Sequence, residues 1–202
     1  MDTRRGATPP LLPLLRSRQQ AAILTAVLGE PEAESPLAAL AERLGIPYPS
    51  VHREIDRAER AGLVKSRKLG NVRLVKANTA SPYFAGLSDV LTKAFGPPTV
   101  IGGALAPLDG IDEAFIYGSW ADRFEGNEGE RPVGDIDLLV LGEPDRDALF
   151  HALASASARL GREVQVTIRP PSWLDEGSGT FHRTITSRPL VPVALRRDDP
   201  QP

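Results

Sequence analysis

The 202-residue chain contains no cysteine, a single methionine and only three histidines. Without cysteine it can form neither disulfide bonds nor thiolate metal sites. The histidines, His52, His151 and His182, are far apart in the sequence and indicate no ligand cluster. No run of eighteen apolar residues is present, and the first ten residues, MDTRRGATPP, lack the apolar core of a signal peptide. We therefore expect a cytoplasmic protein without membrane-spanning segments.

Charge is distributed unevenly along the chain, although the net charge is only −2. Residues 1–80 carry a net charge of +5 and residues 81–202 a net charge of −7. A basic first part favours binding to a polyanion, and an acidic second part favours binding to cations. Chance variation of surface charge explains a difference of this size equally well, so charge alone assigns no function.

Two helices are predicted in the first third of the chain. The first begins near Ser17, which has capping-box spacing to Gln20, and it ends at Gly29 in a left-handed conformation. The second follows a loop, with Ser35-Pro36 as its cap and first turn, and it ends at Gly45. Both helices carry apolar residues at helical spacing, which indicates that one face of each is buried.

A third helix and a hairpin complete this part of the chain. The helix begins near Pro49 and stops at Gly62, and it is followed by the strands Leu63–Leu69 and Val72–Ala77 around Gly70-Asn71. The segment PLAALAERLGIPYPSVHREIDRAERAGLV resembles the winged helix-turn-helix superfamily, most closely in its LGIP turn and its AERAGLV exit. The resemblance covers about residues 12–80 and implies binding to double-stranded DNA.

The third helix has an arginine-bearing face opposite its apolar face. This face carries Ser50, Arg53, Arg57 and Arg60. Such a helix can pack on its core while it presents basic residues to the major groove. The predicted DNA-binding residues are Tyr48, Ser50, His52, Arg53 and Arg57 on the helix, and Lys68 and Arg73 on the wing. Two alternatives are an ordinary solvated face, paired with neighbouring acids, and a protein-docking surface.

The second half of the chain alternates strands with helices. Two helices broken at Gly96-Pro97-Pro98 lead into it. The predicted strands are Glu113–Tyr117, Asp135–Leu141, Glu163–Arg169 and Leu190–Leu195, and the predicted helices are Asp145–Leu160 and a short one at Ser172–Glu176. Residues two apart on a strand point to the same side, so Asp135 and Asp137 project together. Two carboxylates at this spacing suit a shared Mg²⁺, and the backbone and hydroxyl of Gly118-Ser119 suit a triphosphate.

The order of Gly-Ser, a spacer and Asp-x-Asp resembles the DNA polymerase β-like nucleotidyltransferase superfamily, most closely its minimal branch. The resemblance covers about residues 98–195 and implies Mg²⁺ and NTP as ligands. Fifteen residues separate Ser119 from Asp135, and we expect an acidic flexible loop at 125–131. Active members carry a third carboxylate on the next strand, where this chain has Gln165. A glutamine cannot accept a proton as a general base, and Glu163 replaces it only if the register is shifted.

We therefore predict an α/β chain of two domains with an α+β arrangement. A tail at residues 1–10 precedes a winged helix-turn-helix domain at 11–80, a helical connector at 81–110 and a nucleotidyltransferase-like domain at 111–197, which contains a small mixed sheet flanked by helices. The first hypothesis is a transcriptional regulator that binds Mg-nucleotide or a partner protein, as a monomer or a homodimer. The alternative is an active transferase of NMP to a protein, RNA or small molecule, and the resemblance extends this alternative to toxin–antitoxin systems. An antibiotic-modifying transferase is a third, weaker reading.

Overall fold

The computed structural model describes residues 15–126 and 134–195 of the chain. The chain divides into two compact units, Met1–Pro97 and Pro98–Pro202. The predicted tail at residues 1–10 and most of the predicted loop at 125–131 lie outside the described residues. Within them, no helix is both long enough and apolar enough to cross a membrane.

The first unit combines four helices with a three-stranded antiparallel sheet in the order β1-β3-β2. Its elements are α1 (Arg18–Leu28), β1 (Ser35–Pro36), α2 (Leu37–Leu44), α3 (Tyr48–Arg60), β2 (Val64–Leu69), β3 (Val72–Ala77) and α4 (Phe84–Phe95). The predicted arrangement of three helices followed by a wing hairpin is confirmed. Helix α4 adds the buried Leu91 to the core that α1, α2, α3 and the hairpin form.

Local signals explain most of the helix ends in this unit. Ser17 Oγ accepts a hydrogen bond from the backbone N–H of Gln20 at 3.1 Å, as the capping-box spacing predicts. Gly45 ends α2 in the left-handed conformation, with φ of 61°. Gly29 was wrongly predicted to be left-handed: its φ is −75°, because its N–H continues the helical pattern by donating to Thr25 O.

The start of α2 also differs from the prediction. Ser35 does not cap the helix, because Ser35–Pro36 is extended and pairs with Val75 and Leu74 of β3. Pro36 occupies the cap position instead, with φ of −62° and ψ of 138° and no side-chain hydrogen bond. The segment therefore contributes a third strand to the wing sheet, which a local capping rule does not detect.

The second unit is a four-stranded mixed sheet in the order β6-β5-β4-β7, flanked by helices. Its elements are α5 (Pro97–Leu105), β4 (Ile111–Tyr117), α6 (Gly118–Phe124), β5 (Ile136–Gly142), α7 (Arg146–Leu160), β6 (Val164–Arg169), α8 (Trp173–Glu176), α9 (Gly179–Thr186) and β7 (Val191–Pro192). Strand β4 is antiparallel to β5 and β7, whereas β6 is parallel to β5. The predicted mixed sheet flanked by helices is confirmed.

The two faces of this sheet are covered differently. On one face, residues such as Ile116 and Leu138 pack with the apolar residues of α5, α6 and α7. On the other face, Leu139 and Leu141 pack against Ile185 of α9 and the side chains of α8. Tyr117, Asp137 and Gln165 lie side by side on this second face, because they are register partners across β4, β5 and β6.

Helix α9 was absent from the sequence prediction. Its sequence, GTFHRTIT, begins with glycine and contains four β-branched residues, all of which favour helix formation weakly. Burial of Ile185 against the sheet supplies the stabilisation that the local sequence lacks. The last strand is also shorter than the predicted Leu190–Leu195: it spans Val191–Pro192, and the next residue, Val193, donates one further backbone hydrogen bond to Ala114 O of β4.

Candidate nucleic-acid interface and candidate ligand cleft

Helix α3 separates its apolar residues from its basic residues. Val51, Ile55 and Ala58 are buried in the core of the first unit. The basic side chains Arg53, Arg57 and Arg60 are exposed, and so is Tyr48 at the start of the helix. This helix follows the tight turn after α2, and it therefore has the position and the surface of a recognition helix.

The predicted contact residues at the start of α3 lie together. Arg53 donates a hydrogen bond to Ser50 Oγ at 3.1 Å, one turn earlier on the helix. The rings of Tyr48 and His52 lie 6.0 Å apart, and His52 Nδ1 lies 3.1 Å from Asp56 Oδ2. The first turns of the helix thus present hydroxyl, imidazole and guanidinium groups, which are the groups that read base edges and phosphates.

The other predicted arginine of α3 is paired with an acid on the same helix. Arg57 forms an ion pair with Glu54, which also lies 3.0 Å from Arg16. The alternative of a solvated face paired with acids therefore describes Arg57 better than Arg53. Both Arg57 and Arg16 are about half exposed, so DNA phosphates could compete for them with Glu54.

Arg73 of the wing lies against the recognition helix. Its guanidinium is 2.6 Å from Asp56 Oδ1 and 2.7 Å from Glu59 Oε2, and its side chain is only 17% exposed. Its Nη1 also lies 3.2 Å from His52 Nε2. The hydrogen bond from Arg73 lowers the pKa of Asp56, and its positive charge adds to the effect, whereas burial opposes it. The structure thus uses Arg73 to join the wing to α3.

The remaining basic residues of the wing point to solvent. Lys65, Lys68 and Lys76 are exposed on β2 and β3, while Arg67 donates to both carboxylate oxygens of Glu34 through its Nε and Nη2. The tip of the hairpin is apolar, with Leu69 61% exposed and Val72 46% exposed. Lys68, predicted as a phosphate contact, therefore stands next to an exposed apolar tip.

A cleft of about 270 Å³ opens in the second unit where β4 leads into α6. Its lining combines the predicted Gly118, Ser119 and Asp137 with residues that the sequence did not indicate, namely Tyr117, Phe181, Thr184, Ile185 and Arg188. Gly118 has a φ of +74°, and a Cβ at this position would collide with Asp137 Oδ2. Glycine is therefore required both by the backbone conformation and by the adjacent carboxylate.

The two acids of the Asp-x-Asp pattern interact but do not share the cleft equally. Asp137 lies on β5 and lines the cleft, whereas Asp135 precedes the strand and is not among the lining residues. Partial burial raises the pKa of Asp137, and the negative charge of Asp135 raises it further. Repulsion between the two carboxylates is the kind of strain that a bound cation relieves.

Strand β6, next to β5, has an amide rather than a third carboxylate beside Asp137. Gln165 is the register partner of Asp137 on β6, and Glu163 lies just before that strand. Over residues 15–126 and 134–195, no group of three or more acids and histidines is arranged to hold a metal ion. Asp135 and Asp137 are therefore the two carboxylates that this part of the second unit offers to a cation.

Helix α9 and Arg188, which follows it, form the second wall of the cleft. The rings of Tyr117 and Phe181 meet edge to face with centroids 6.5 Å apart, and Tyr117 Oη lies 3.3 Å from Thr167 Oγ1. Arg188 is exposed, and its Nη1 lies 3.7 Å from Asp122 Oδ2 of α6. The cleft thus has an apolar wall of rings and an arginine at its edge.

Part of the first unit is similar to a known protein family. Residues 16–72 match the model of the MarR family. The match runs from just before α1 to the first residue of β3, so it contains the recognition helix described above. The MarR match supports a DNA-binding winged helix and a role in transcriptional regulation. No curated protein matches the chain.

The MarR-type segment ends before Arg73, and the second unit lies wholly outside it. Sequence reasoning missed Phe181, Thr184, Ile185 and Arg188 because it missed α9. One signal was available: in FHRTI the apolar residues Phe181 and Ile185 are four positions apart, which is a helical spacing, and the segment lies between two predicted elements. That pattern indicates a partly buried segment, although it does not reveal which cleft the segment lines.

Proposed function

We propose that this protein is a DNA-binding transcriptional regulator whose second unit binds a Mg-nucleotide without efficient catalysis. The observation that carries the DNA-binding part is the exposed start of α3, where Arg53 and Ser50 lie together within the MarR-type segment. The nucleotide-binding part depends on the cleft that joins Gly118, Ser119 and Asp137.

The DNA-binding part is tested by binding to a duplex selected from a random pool by the wild-type chain. Arg53→Ala should weaken binding about ten-fold, because one base or phosphate contact contributes about 1–3 kcal/mol. Lys93→Ala is the matched control, since it removes one positive charge from α4, outside the recognition helix and the wing. Affinity that is insensitive to both Arg53→Ala and salt concentration would contradict a DNA-binding role for α3.

The nucleotide-binding part assigns a role to each predicted residue of the cleft. Asp137 and Asp135 would hold one Mg²⁺, and Ser119 with the backbone of Gly118 would contact the phosphates of the nucleotide. A divalent cation would also offset the repulsion that raises the pKa of Asp137. Mg²⁺ prefers oxygen ligands and is commonly bound through one or two carboxylates together with phosphates, which this donor set can supply.

An active nucleotidyltransferase is the second candidate, favoured by the proximity of Asp137 to Gly118-Ser119. In that role Glu163 or a water molecule accepts the proton of the acceptor, which is a protein, an RNA or a small molecule. The register pairing of Asp137 with Gln165 supports binding rather than catalysis, since glutamine cannot serve as a base. Incubation with Mg²⁺ and NTPs labelled at the α-phosphate distinguishes the two: transfer of label that Asp137→Asn abolishes favours the enzyme.

We further propose that the regulator acts as a homodimer on DNA. Two copies of α3 would read two half-sites spaced by one helical turn, which is the usual geometry for helix-turn-helix proteins. Sedimentation of the protein with a duplex that carries paired half-sites should give two chains per duplex. A complex with one chain at saturation would contradict the dimer without affecting the role of α3. A partner protein, the other predicted ligand of the second unit, remains a prediction.

A further inference from the structure

We infer that Arg188 binds the phosphates of the cleft's ligand and supplies positive charge that a second metal ion would otherwise provide. This inference rests on the proposed function, because it concerns the same cleft. It goes further because it assigns a binding role to a residue outside the Gly-Ser and Asp-x-Asp patterns, and because it names the side chains that would contact the phosphates and the base.

The position of Arg188 is the first observation. The residue follows α9 and lines the same cleft as Ser119 and Asp137, although about seventy residues separate it from the Gly-Ser turn. The packing of Ile185 against the sheet holds this end of α9 in place. An arginine is thereby fixed at the edge of a cleft whose other charged lining residue is an aspartate.

The pairing of Arg188 is the second observation. Its Nη1 lies 3.7 Å from Asp122 Oδ2, a separation too long for a hydrogen bond, and the arginine side chain is 56% exposed. Such a loose and solvated ion pair contributes little, so the guanidinium can leave it at small cost when an anion enters. Arg188 therefore remains available to a ligand.

The charge balance of the cleft gives this arginine its role. Asp137 and Asp135 are one carboxylate short of a three-carboxylate site, because Gln165 occupies the neighbouring position on β6. One bound Mg²⁺ leaves much of the charge of a nucleoside triphosphate uncompensated. A guanidinium presents parallel N–H donors that match phosphate oxygens, and such charge-assisted hydrogen bonds are stronger than neutral ones.

The apolar wall indicates what the phosphates are attached to. Phe181 is 42% exposed at the cleft, and it meets Tyr117 edge to face above the buried Ile185. Exposed aromatic rings offer a surface for a nucleobase, whose π-face stacks on aromatic side chains. The Arg169 guanidinium lies 5.3 Å from the centroid of the Phe181 ring, so a nucleobase would contact the part of the ring that is exposed. Inorganic phosphate would leave this wall without a contact, which favours a nucleotide as the ligand.

The experiment compares the full-length chain with three variants by calorimetric titration. The probes are ATP and GTP with Mg²⁺, and the corresponding nucleosides. Arg188→Ala should weaken binding of the tighter triphosphate about ten-fold or more, as expected for loss of a charged hydrogen bond. Arg188→Lys should recover part of the loss, and Arg183→Ala, which removes the same charge from α9 outside the cleft lining, should bind like the wild type.

Nucleoside binding separates a contact with phosphate from a structural role. Adenosine or guanosine should bind the wild type and Arg188→Ala equally, so that only the triphosphate loses affinity. Equal triphosphate affinity for the wild type and Arg188→Ala would overturn the inference and leave the nucleotide-binding proposal standing. An equal loss for nucleoside and triphosphate would also overturn it. Absence of any nucleotide binding by the wild type would overturn the proposal and the inference together.

Discussion

The contact between the wing and the recognition helix allows the sharpest prediction, through the substitution Arg73→Met. Methionine keeps most of the apolar stem but removes the guanidinium that contacts Asp56 and Glu59 at 2.6 and 2.7 Å. A hydrogen bond to a charged group contributes about 1.5–3 kcal/mol when it is shielded from water. The two acids are 40% and 39% exposed, so solvent screening reduces that contribution, and we expect a total loss of about 1–2 kcal/mol.

Hydrogen exchange resolved along the chain is the appropriate assay. Both tryptophans, Trp120 and Trp173, lie in the second unit, so their fluorescence does not report on the wing. Arg73→Met should lower the protection of amides in α3 and β3 and leave tryptophan fluorescence unchanged. The matched control is Arg67→Met on the same hairpin: the Arg67 side chain is 55% exposed, against 17% for Arg73, so its ion pair with Glu34 should contribute less.

The pH dependence of this effect has a definite sign. Arg73 lowers the pKa of Asp56 in the folded chain, so the stabilisation is present above the unfolded-state pKa of aspartate, about 3.9. This stabilisation is lost as the pH falls through the lowered pKa that Asp56 has in the folded chain. The difference between wild type and Arg73→Met should therefore shrink in acid. Equal protection in the two variants Arg73→Met and Arg67→Met at neutral pH would refute the assigned role of Arg73.

Two further predictions concern the cleft. Asp137→Asn should stabilise the second unit modestly, by under about 1 kcal/mol at neutral pH, because burial and Asp135 raise the pKa of Asp137 and thus disfavour its ionised form. Urea unfolding followed by tryptophan fluorescence should show wild-type stability falling as the pH rises through the raised pKa, a trend that the variant lacks. Gly118→Ala should destabilise the unit by about 1–2 kcal/mol or more, because φ is +74° and the added Cβ meets Asp137. Gly103→Ala on α5, where an added Cβ has nothing within 4 Å, should be neutral or stabilising; a similar loss in both variants would contradict this explanation.

The three helices and the hairpin of the winged helix could be predicted because caps, turn residues and apolar spacing are visible in the local sequence. The Ser17 cap, the left-handed Gly45 and the spacing of Val51, Ile55 and Ala58 all act within a single helix or its turn. The same holds for β5, which is a nearly continuous apolar run, and for β6, whose residues alternate; Asp137 and Gln165 were thereby placed on strands that the structure pairs. Local patterns were sufficient wherever the stabilising contacts are close in sequence.

The features that could not be predicted depend on contacts between distant residues. Arg73 on the hairpin contacts Asp56 on α3, which is 17 positions earlier in the chain. From the sequence, Arg73 looked like one more basic residue of the wing and was predicted to contact a phosphate. Helix α9 is a poor helix former by composition, and it is held by the burial of Ile185. Missing that helix concealed Arg188, and with it half of the cleft's lining.

Our main proposal is that one chain joins a DNA-binding surface to a nucleotide-binding cleft, and a regulator of this kind requires that nucleotide binding change its affinity for DNA. The most direct measurement is the affinity of the full-length chain for its selected duplex, with and without Mg-ATP or Mg-GTP, in the wild type and in Asp137→Asn. We predict that nucleotide changes the DNA affinity of the wild type and leaves the DNA affinity of Asp137→Asn unchanged. An affinity that nucleotide leaves unchanged in the wild type, or changes equally in both proteins, would contradict it.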